Sequence, residues 1–306
     1  MLQLLAPSVT TVRDPKGQKF MAIVEAAYNK ARLDDNEAQR VNDTPGLSKL
    51  IGSFIAESRV TDRYKDQQVP STWTYPPEYK GPKDFHQQTE ILLGILPGLD
   101  PEQAWKWYND VYTRLEVPDW VEGVFAVPSE FALARLFYPD IQERPAQYCA
   151  GVNLLLKKIA NSRQFYNYCD EQIDPAHLWR TERTALMINA LWEMQGRPDI
   201  VALPAQLGLQ HRGRSDLRAR ECFMAQEFGA GSLEGAAIAL THPERFVRWE
   251  QLHEDLAGDD FSSAADGQAD EAPYLYFYDD KVKFGTVLLD IPNECYGSVS
   301  CWLPPQ

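Results

Sequence analysis

The sequence predicts an α+β fold: a mainly helical N-terminal and central region with a small antiparallel sheet that includes a C-terminal hairpin. Apolar residues recur at helical spacing over several long stretches, proline and acidic residues mark helix starts, and two alternating runs near the C-terminus flank a two-residue polar turn.

The elements follow in chain order. Phe20, Ile23, Val24, Ala27 and Ala31 lie on one face of a helix between Lys19 and Arg32 and form one stripe to be buried. Thr44-Pro45 opens a second amphipathic helix whose face carries Leu47, Leu50, Ile51, Phe54 and Ile55. Pro45 fits its first turn because the N–H that proline lacks has no helical partner there. Between Gln67 and Pro82, Pro70, Pro76, Pro77 and Pro82 interrupt any helix or ladder, with Trp73, Tyr75 and Tyr79 interleaved. This stretch reads as a long ordered loop packed on its own domain rather than as a polyproline ligand. Asp100-Pro101-Glu102-Gln103 supplies a cap, a first-turn proline and an early acid. The helix it starts carries Ala104, Tyr108, Val111 and Leu115 on its core face, widened by Trp105, Trp107 and Tyr112.

Gly123 to Val127, ending at Pro128, reads as a short buried strand. Helices over 146–159 and 175–194 follow, with Leu154, Leu155, Ile159, Leu186, Ile188 and Trp192 on their apolar faces; Gly196 and Pro198 stop the second. Tyr274 to Tyr278 and Lys281 to Phe284 alternate around Asp279-Asp280 as a β-hairpin, and Tyr296 to Leu303 adds a further strand. Asp259 to Ala272 is the expected mobile loop.

A chain of 306 residues, 44% of them apolar, has enough apolar surface for a substantial core. It reads as one compact domain over 1–306, the alternative being a helical region 1–116 and a mixed region 117–306. With 44 acidic against 30 basic side chains the net charge is −14, which argues against broad nucleic-acid binding and against anionic lipid. Cys149, Cys169, Cys222, Cys295 and Cys301 are odd in number, scattered and free of any C-x-x-C pair, so no disulfide framework is expected. The opening MLQLLAPSV lacks the basic leader and long apolar stretch of a signal peptide. The longest apolar run, Ile91 to Leu96, is far short of the roughly 20 residues of a membrane span. These features point to a soluble cytoplasmic protein without a membrane partner.

Four constellations could carry chemistry. The run His211 to Arg220 places Arg212, Arg214, Arg218 and Arg220 in an otherwise acidic chain, with Ser215 set to cap a helix. Arginine forks match phosphate and carboxylate, so this run is the anion-binding candidate and makes the leading expectation a binding or interaction protein engaging an anionic partner or ligand. The structural alternative is a network of internal salt bridges. His242, His253, Asp255, Asp259 and Asp260 form a candidate divalent-metal cluster, which would make the protein a metal-assisted hydrolase. No cofactor beyond that metal is predicted. Consecutive His253, Glu254 and Asp255 would fan around a helix, and no H-E-x-x-H is present. Nine acidic residues and no lysine or arginine between Glu254 and Asp280 allow a third reading, an acidic nucleic-acid mimic that blocks a basic protein; the segment around Asp266 lacks the ligand spacing of a calcium loop. Gly229 to Gly235 departs from the dinucleotide fingerprint by one position and reads as a flexible turn opening a helix through Ala236, Ala237, Ile238 and Leu240. No G-x-S-x-G elbow, Walker loop or kinase signature occurs, and Cys149 and Cys222, the cysteines that could meet a histidine in space, read as small core residues.

Overall fold

The structure is a computed structural model and describes residues 11–44, 47, 51, 55 and 63–305. The chain divides into two compact units, Met1–Val60 and Thr61–Gln306. No helix among the described residues is long and apolar enough to cross a membrane.

In the first unit, α1 (Pro15–Ala31) starts on a proline and ends where Arg32 turns left-handed, at φ 50°. The helix forms as its spacing requires, yet none of its residues is buried, and Ile23 is 61% exposed. Its neighbour α2 (Asp35–Asn42, DNEAQRVN) explains part of this, because so polar a helix has almost no apolar surface to offer. α2 is fixed by a capping box in which Asp34 accepts from the Glu37 amide and Glu37 accepts from the Asp34 amide. The helix expected from Thr44-Pro45 onward lies outside the described residues except for Leu47, Ile51 and Ile55, which are helical.

The second unit opens on the proline-rich stretch, which is an ordered loop. Its backbone is tied at both ends, Val69 N–H to the Gly213 carbonyl and Leu252 N–H to the Thr74 carbonyl, and Tyr79 is buried. Asp84 caps α3 (Phe85–Ile95), and Asp100 accepts from the Glu102 amide to start α4 (Glu102–Asp110), where Ala104 and Trp107 are buried. β1 (Gly123–Pro128), α5 (Glu130–Phe137, capped by Ser129) and α6 (Arg144–Ser162) follow. After β2 (Phe165–Asn167) comes the one clear departure from the helical pattern. Leu178–Arg180 is strand β3, and α7 (Glu182–Met194) begins only at the Thr181 cap. The apolar period runs through both segments; pairing of 178–180 with a later strand decides the difference.

The remaining elements are β4 (Ile200–Gln206), α8 (Asp216–Cys222), β5 (Glu227–Gly229), α9 (Ser232–Thr241), β6 (His253–Asp255), β7 (Asp259–Phe261), β8 (Glu271–Tyr278), β9 (Lys281–Leu288), β10 (Tyr296–Ser298) and β11 (Ser300–Trp302). Asp259 and Asp260 therefore lie in a strand, not in the expected loop, which starts after Phe261. Two sheets result. One runs β1-β4-β11-β5, all antiparallel. The other is seven-stranded; it follows β10-β6-β8-β7-β3, with β9 pairing both β8 and β2. Its β10–β6 and β2–β9 pairings are parallel and the others antiparallel. The hairpin β8–β9 closes as the sequence pattern requires, Tyr278 opposite Lys281, and both turn residues, Asp279 and Asp280, sit at φ 56°. Two left-handed residues make the turn whose twist matches the strands. The expected C-terminal strand is split: Val299 carries the chain from β10 in the larger sheet into β11 in the smaller.

α9 is buried at every residue and packs on α6, β1, α3 and β8, so an apolar helix without a polar face forms the centre of the core. The glycines before it are needed for close approach rather than for flexibility. A Cβ on Gly229 would meet the Ala257 carbonyl carbon at 2.5 Å. Glu234 in the first turn of α9 takes a bidentate contact from Arg180 (2.7 and 2.9 Å), whose guanidinium also lies 4.2 Å over the Tyr148 ring. Arg180→Met leaves the Glu234 and Glu130 carboxylates facing an uncharged neighbour in the interior. It should cost about 3–5 kcal/mol in urea unfolding, with part of the loss recovered when Glu234→Gln is added.

Candidate functional site

Strand alternation places Tyr274, Tyr276 and Tyr278 on one face of β8. On the neighbouring strand His253 and Asp255 share a face, while Glu254 points the other way. His253 pairs with Tyr296 of β10 and Asp255 with Tyr274 of β8, so one side of the larger sheet gathers histidine, aspartate and tyrosines. Gly285 opposite Tyr274 leaves room for this crowding, since a Cβ there would come within 3.1 Å of the Tyr274 ring. Trp73 from the proline-rich loop and Trp249 from the segment before β6 close the remaining sides.

The result is a cavity of about 430 Å³ lined by Trp73, Tyr168, Trp249, Tyr276 and Tyr296 with His253 at its floor. The His253 ring centroid lies 4.9 Å from Trp249, 5.3 Å from Tyr276, 6.0 Å from Tyr296 and 6.2 Å from Trp73. Trp249 and Tyr278 pack edge to face at 4.9 Å while remaining 41% and 49% exposed, so two large rings form an open rim over a buried floor. Few soluble surfaces leave adjacent large aromatics in water without a use for them.

His253 is 2% exposed, and among the described residues neither of its ring nitrogens has a hydrogen-bond partner. Burial, helped by the nearby Arg245 charge, pulls its pKa down to about 4, so at neutral pH it is an uncharged ring with one donor and one acceptor to offer. The opposite face of β6 carries a buried ion pair instead. Arg245, fully buried, reaches Glu254 at 3.2 Å, gives hydrogen bonds to the Leu207 and Leu252 carbonyls, and stacks 4.4 Å from the Tyr75 ring. Tyr75 in turn donates to Glu122. Burial raises Glu254 to about 7 against the pull of Arg245.

The residues singled out by sequence go to several places. Ser215 does cap α8, accepting from the Arg218 amide at 3.1 Å. The four arginines do not converge. Arg212 donates to the Trp73 carbonyl, and Arg214 to Nδ1 of His211. Arg218 meets Glu221 at 2.8 Å, and Arg220 meets Asp260 at 2.8 Å while donating to the Ala257 and Asp259 carbonyls. The geometry is that of internal clamps, with Arg212 the exposed member of the run and the one bordering the aromatic pocket. Because arginine can only donate, His211 accepts on Nδ1 and gives its Nε2 hydrogen to Glu227, which also accepts from Ser300. Serine, carboxylate and histidine lie together there, but the hydroxyl spends its hydrogen on the carboxylate and all three are fully buried.

The five metal candidates separate as well. His242 accepts from the Lys83 amide, Asp259 takes the Tyr148 hydroxyl and the Ser232 amide, Asp260 takes Arg220, and His253 and Asp255 lie on the aromatic face. Among the described residues no three histidine, cysteine or acidic side chains are grouped to hold a metal ion. The expected metal centre is dispersed because β6 and β7 pair with successive stretches of β8 and meet different neighbours, β10 and β3, while His242 sits at the C-terminal end of α9, a matter of topology rather than spacing. Cys149 donates to the Leu178 carbonyl inside the core, and burial pushes its thiol up to about 12. Cys222 is raised too, by burial first.

His253 and Asp255 stand out in the sequence by residue type, but the pocket does not. The period-two tyrosines of the hairpin and Trp73 stand out there too, whereas Trp249 and Tyr168 carry no local pattern, and the meeting of Trp73 with Trp249 across some 180 residues of chain is a product of the fold. Asp255 has no hydrogen-bond partner among the described residues, and burial, then the neighbouring Asp216, hold its pKa well above the usual 3.8. The folded protein thus keeps a proton that the unfolded chain releases from near pH 4 upward, so this group's contribution to stability falls as pH rises. Asp255→Asn should therefore raise the melting temperature at pH 8 and leave it nearly unchanged at pH 4, as read by thermal unfolding at the two pH values. Comparison with protein-family models, with curated proteins and with solved structures finds no match to this chain.

Proposed function

We propose that the second unit is a ligand-binding module whose aromatic pocket encloses a compact organic group. The observation that carries this reading is His253, buried at the floor of an open aromatic cavity with both ring nitrogens unpartnered. Buried polar groups are paired in folded proteins almost without exception, and leaving one bare costs about 1–3 kcal/mol. A ligand that brings its own donor or acceptor to the ring removes that cost. Volume fits the same reading, since clefts that hold small organic ligands start at about 300 Å³.

The binding role expected from the arginine run thus moves to a neighbouring site. Arg212 contributes by fixing the Trp73 backbone and so the position of one wall. Behind the floor, the Arg245–Glu254 pair holds β6 in place, which gives the pocket a rigid base beneath a rim of exposed rings.

His253→Phe separates a ligand-facing histidine from a structural one. It keeps the ring's shape while removing two unsatisfied polar atoms, so stability should hold or rise. Binding, followed by ligand-observed NMR with a panel of sugars, nucleosides and organic amines, should fall at least about tenfold for the members that bind the unaltered protein. Loss of stability together with unchanged binding would show that the histidine serves the fold alone.

A further inference from the structure

We propose that the group this pocket takes is an organic ammonium, seated on the faces of the rings around His253. The inference rests on the pocket being a binding site and adds the charge of its ligand. Aromatic faces carry negative quadrupole potential, and a cation within about 6 Å of several such faces is attracted to all of them. Here two tryptophans and five tyrosines, Tyr168, Tyr274, Tyr276, Tyr278 and Tyr296, line one cavity.

The molecule already uses these rings for an ammonium. Lys283, the cross-strand neighbour of Tyr276, places its Nζ 4.7 Å from the Tyr278 centroid and 5.6 Å from that of Tyr168, with the Tyr168 hydroxyl at 3.3 Å. That lysine is satisfied by rings at the pocket's edge and leaves the space over His253, Trp73 and Trp249 open.

The other charges nearby favour the same sign. Glu294 lines the pocket, while Asp255 on the His253 face of β6, kept protonated by burial, brings no opposing positive charge. Arg245, the buried cation behind β6, is on the far face and already faces Glu254 and two carbonyls. Arg212 has turned to the Trp73 carbonyl. An uncharged His253 ring does not repel a cation and can accept an N–H from one. A net charge of −14 adds a long-range field that draws cations and turns anions away.

The test pairs choline with dimethylbutanol, the same molecule with carbon in place of the ammonium nitrogen, titrated by calorimetry into the unaltered 306-residue chain and into Trp249→Leu and Tyr278→Leu. Both altered residues are surface-exposed, so the variants keep the fold, which circular dichroism would verify. Choline should bind at least about tenfold more tightly than dimethylbutanol, and each variant should reduce that preference several-fold. Equal affinity for the pair, lost in both variants, would overturn the cation assignment and retain the pocket. Binding of a methyl glycoside or a nucleoside but of neither test compound would do the same. Choline binding untouched by either substitution would place the cation elsewhere and overturn the inference, and no binding of any of these compounds would overturn both readings.

Discussion

The buried contact between Arg180 and Glu234 is the constraint on which the second unit is organised. A guanidinium in the interior is tolerated only when its charge and its hydrogens are met from several sides. Burial works against that charge, and the surrounding acids, Glu234 first, more than offset it. Meeting the requirement draws together the end of β3, the first turn of α9, Glu130 at the start of α5 (3.5 Å) and the ring of Tyr148 in α6. Asp259, opposite Arg180 in the sheet, extends the cluster by taking the Tyr148 hydroxyl and the Ser232 amide. The central helix and the larger sheet are thus joined by charge as well as by apolar contact. Apolar packing alone would leave the register of β3 on β7 free to slip; a charged pair does not.

A second buried cation does for the pocket what Arg180 does for the core. Arg245 gives the inner face of β6 an ion pair with Glu254, while binding two carbonyls and stacking on the Tyr75 ring; His253 and Asp255 on the other face have neither an ion pair nor a hydrogen bond among the described residues. Alternation then obliges His253 and Asp255 to face the tyrosines. The asymmetry across one strand is why the cavity floor carries polar atoms that the protein itself does not use.

The arginine run shows how local chemistry is redirected by context. Four guanidiniums within nine residues suggest a single anion site, yet each finds a different internal acceptor because the chain around Ser215 turns from a 3₁₀ turn into α8 and splays them apart. In an acidic protein, carboxylates and carbonyls are always within reach, and an internal partner positioned by the fold outcompetes an external one that must be captured from solution. The exception, Arg212, is exposed and touches the pocket wall.

What the sequence determined by itself was local. Helical period with a proline at the start set α1, α4 and α6. Period-two tyrosines around Asp279-Asp280 set the hairpin, because two aspartates in succession tolerate the left-handed turn that joins twisted strands. Even the two residues at the heart of the pocket, His253 and Asp255, stood out by type. Tertiary structure alone decided that Leu178–Arg180 would be a strand, that the glycines before α9 serve a close backbone approach, and that the histidines and aspartates would part rather than converge on a metal. It also brought Trp73, Trp249 and the hairpin tyrosines around one buried imidazole. Those outcomes depend on which distant segments pair, and pairing is fixed by the burial of whole faces and by matched interior charges, neither of which is a property of any short stretch of chain.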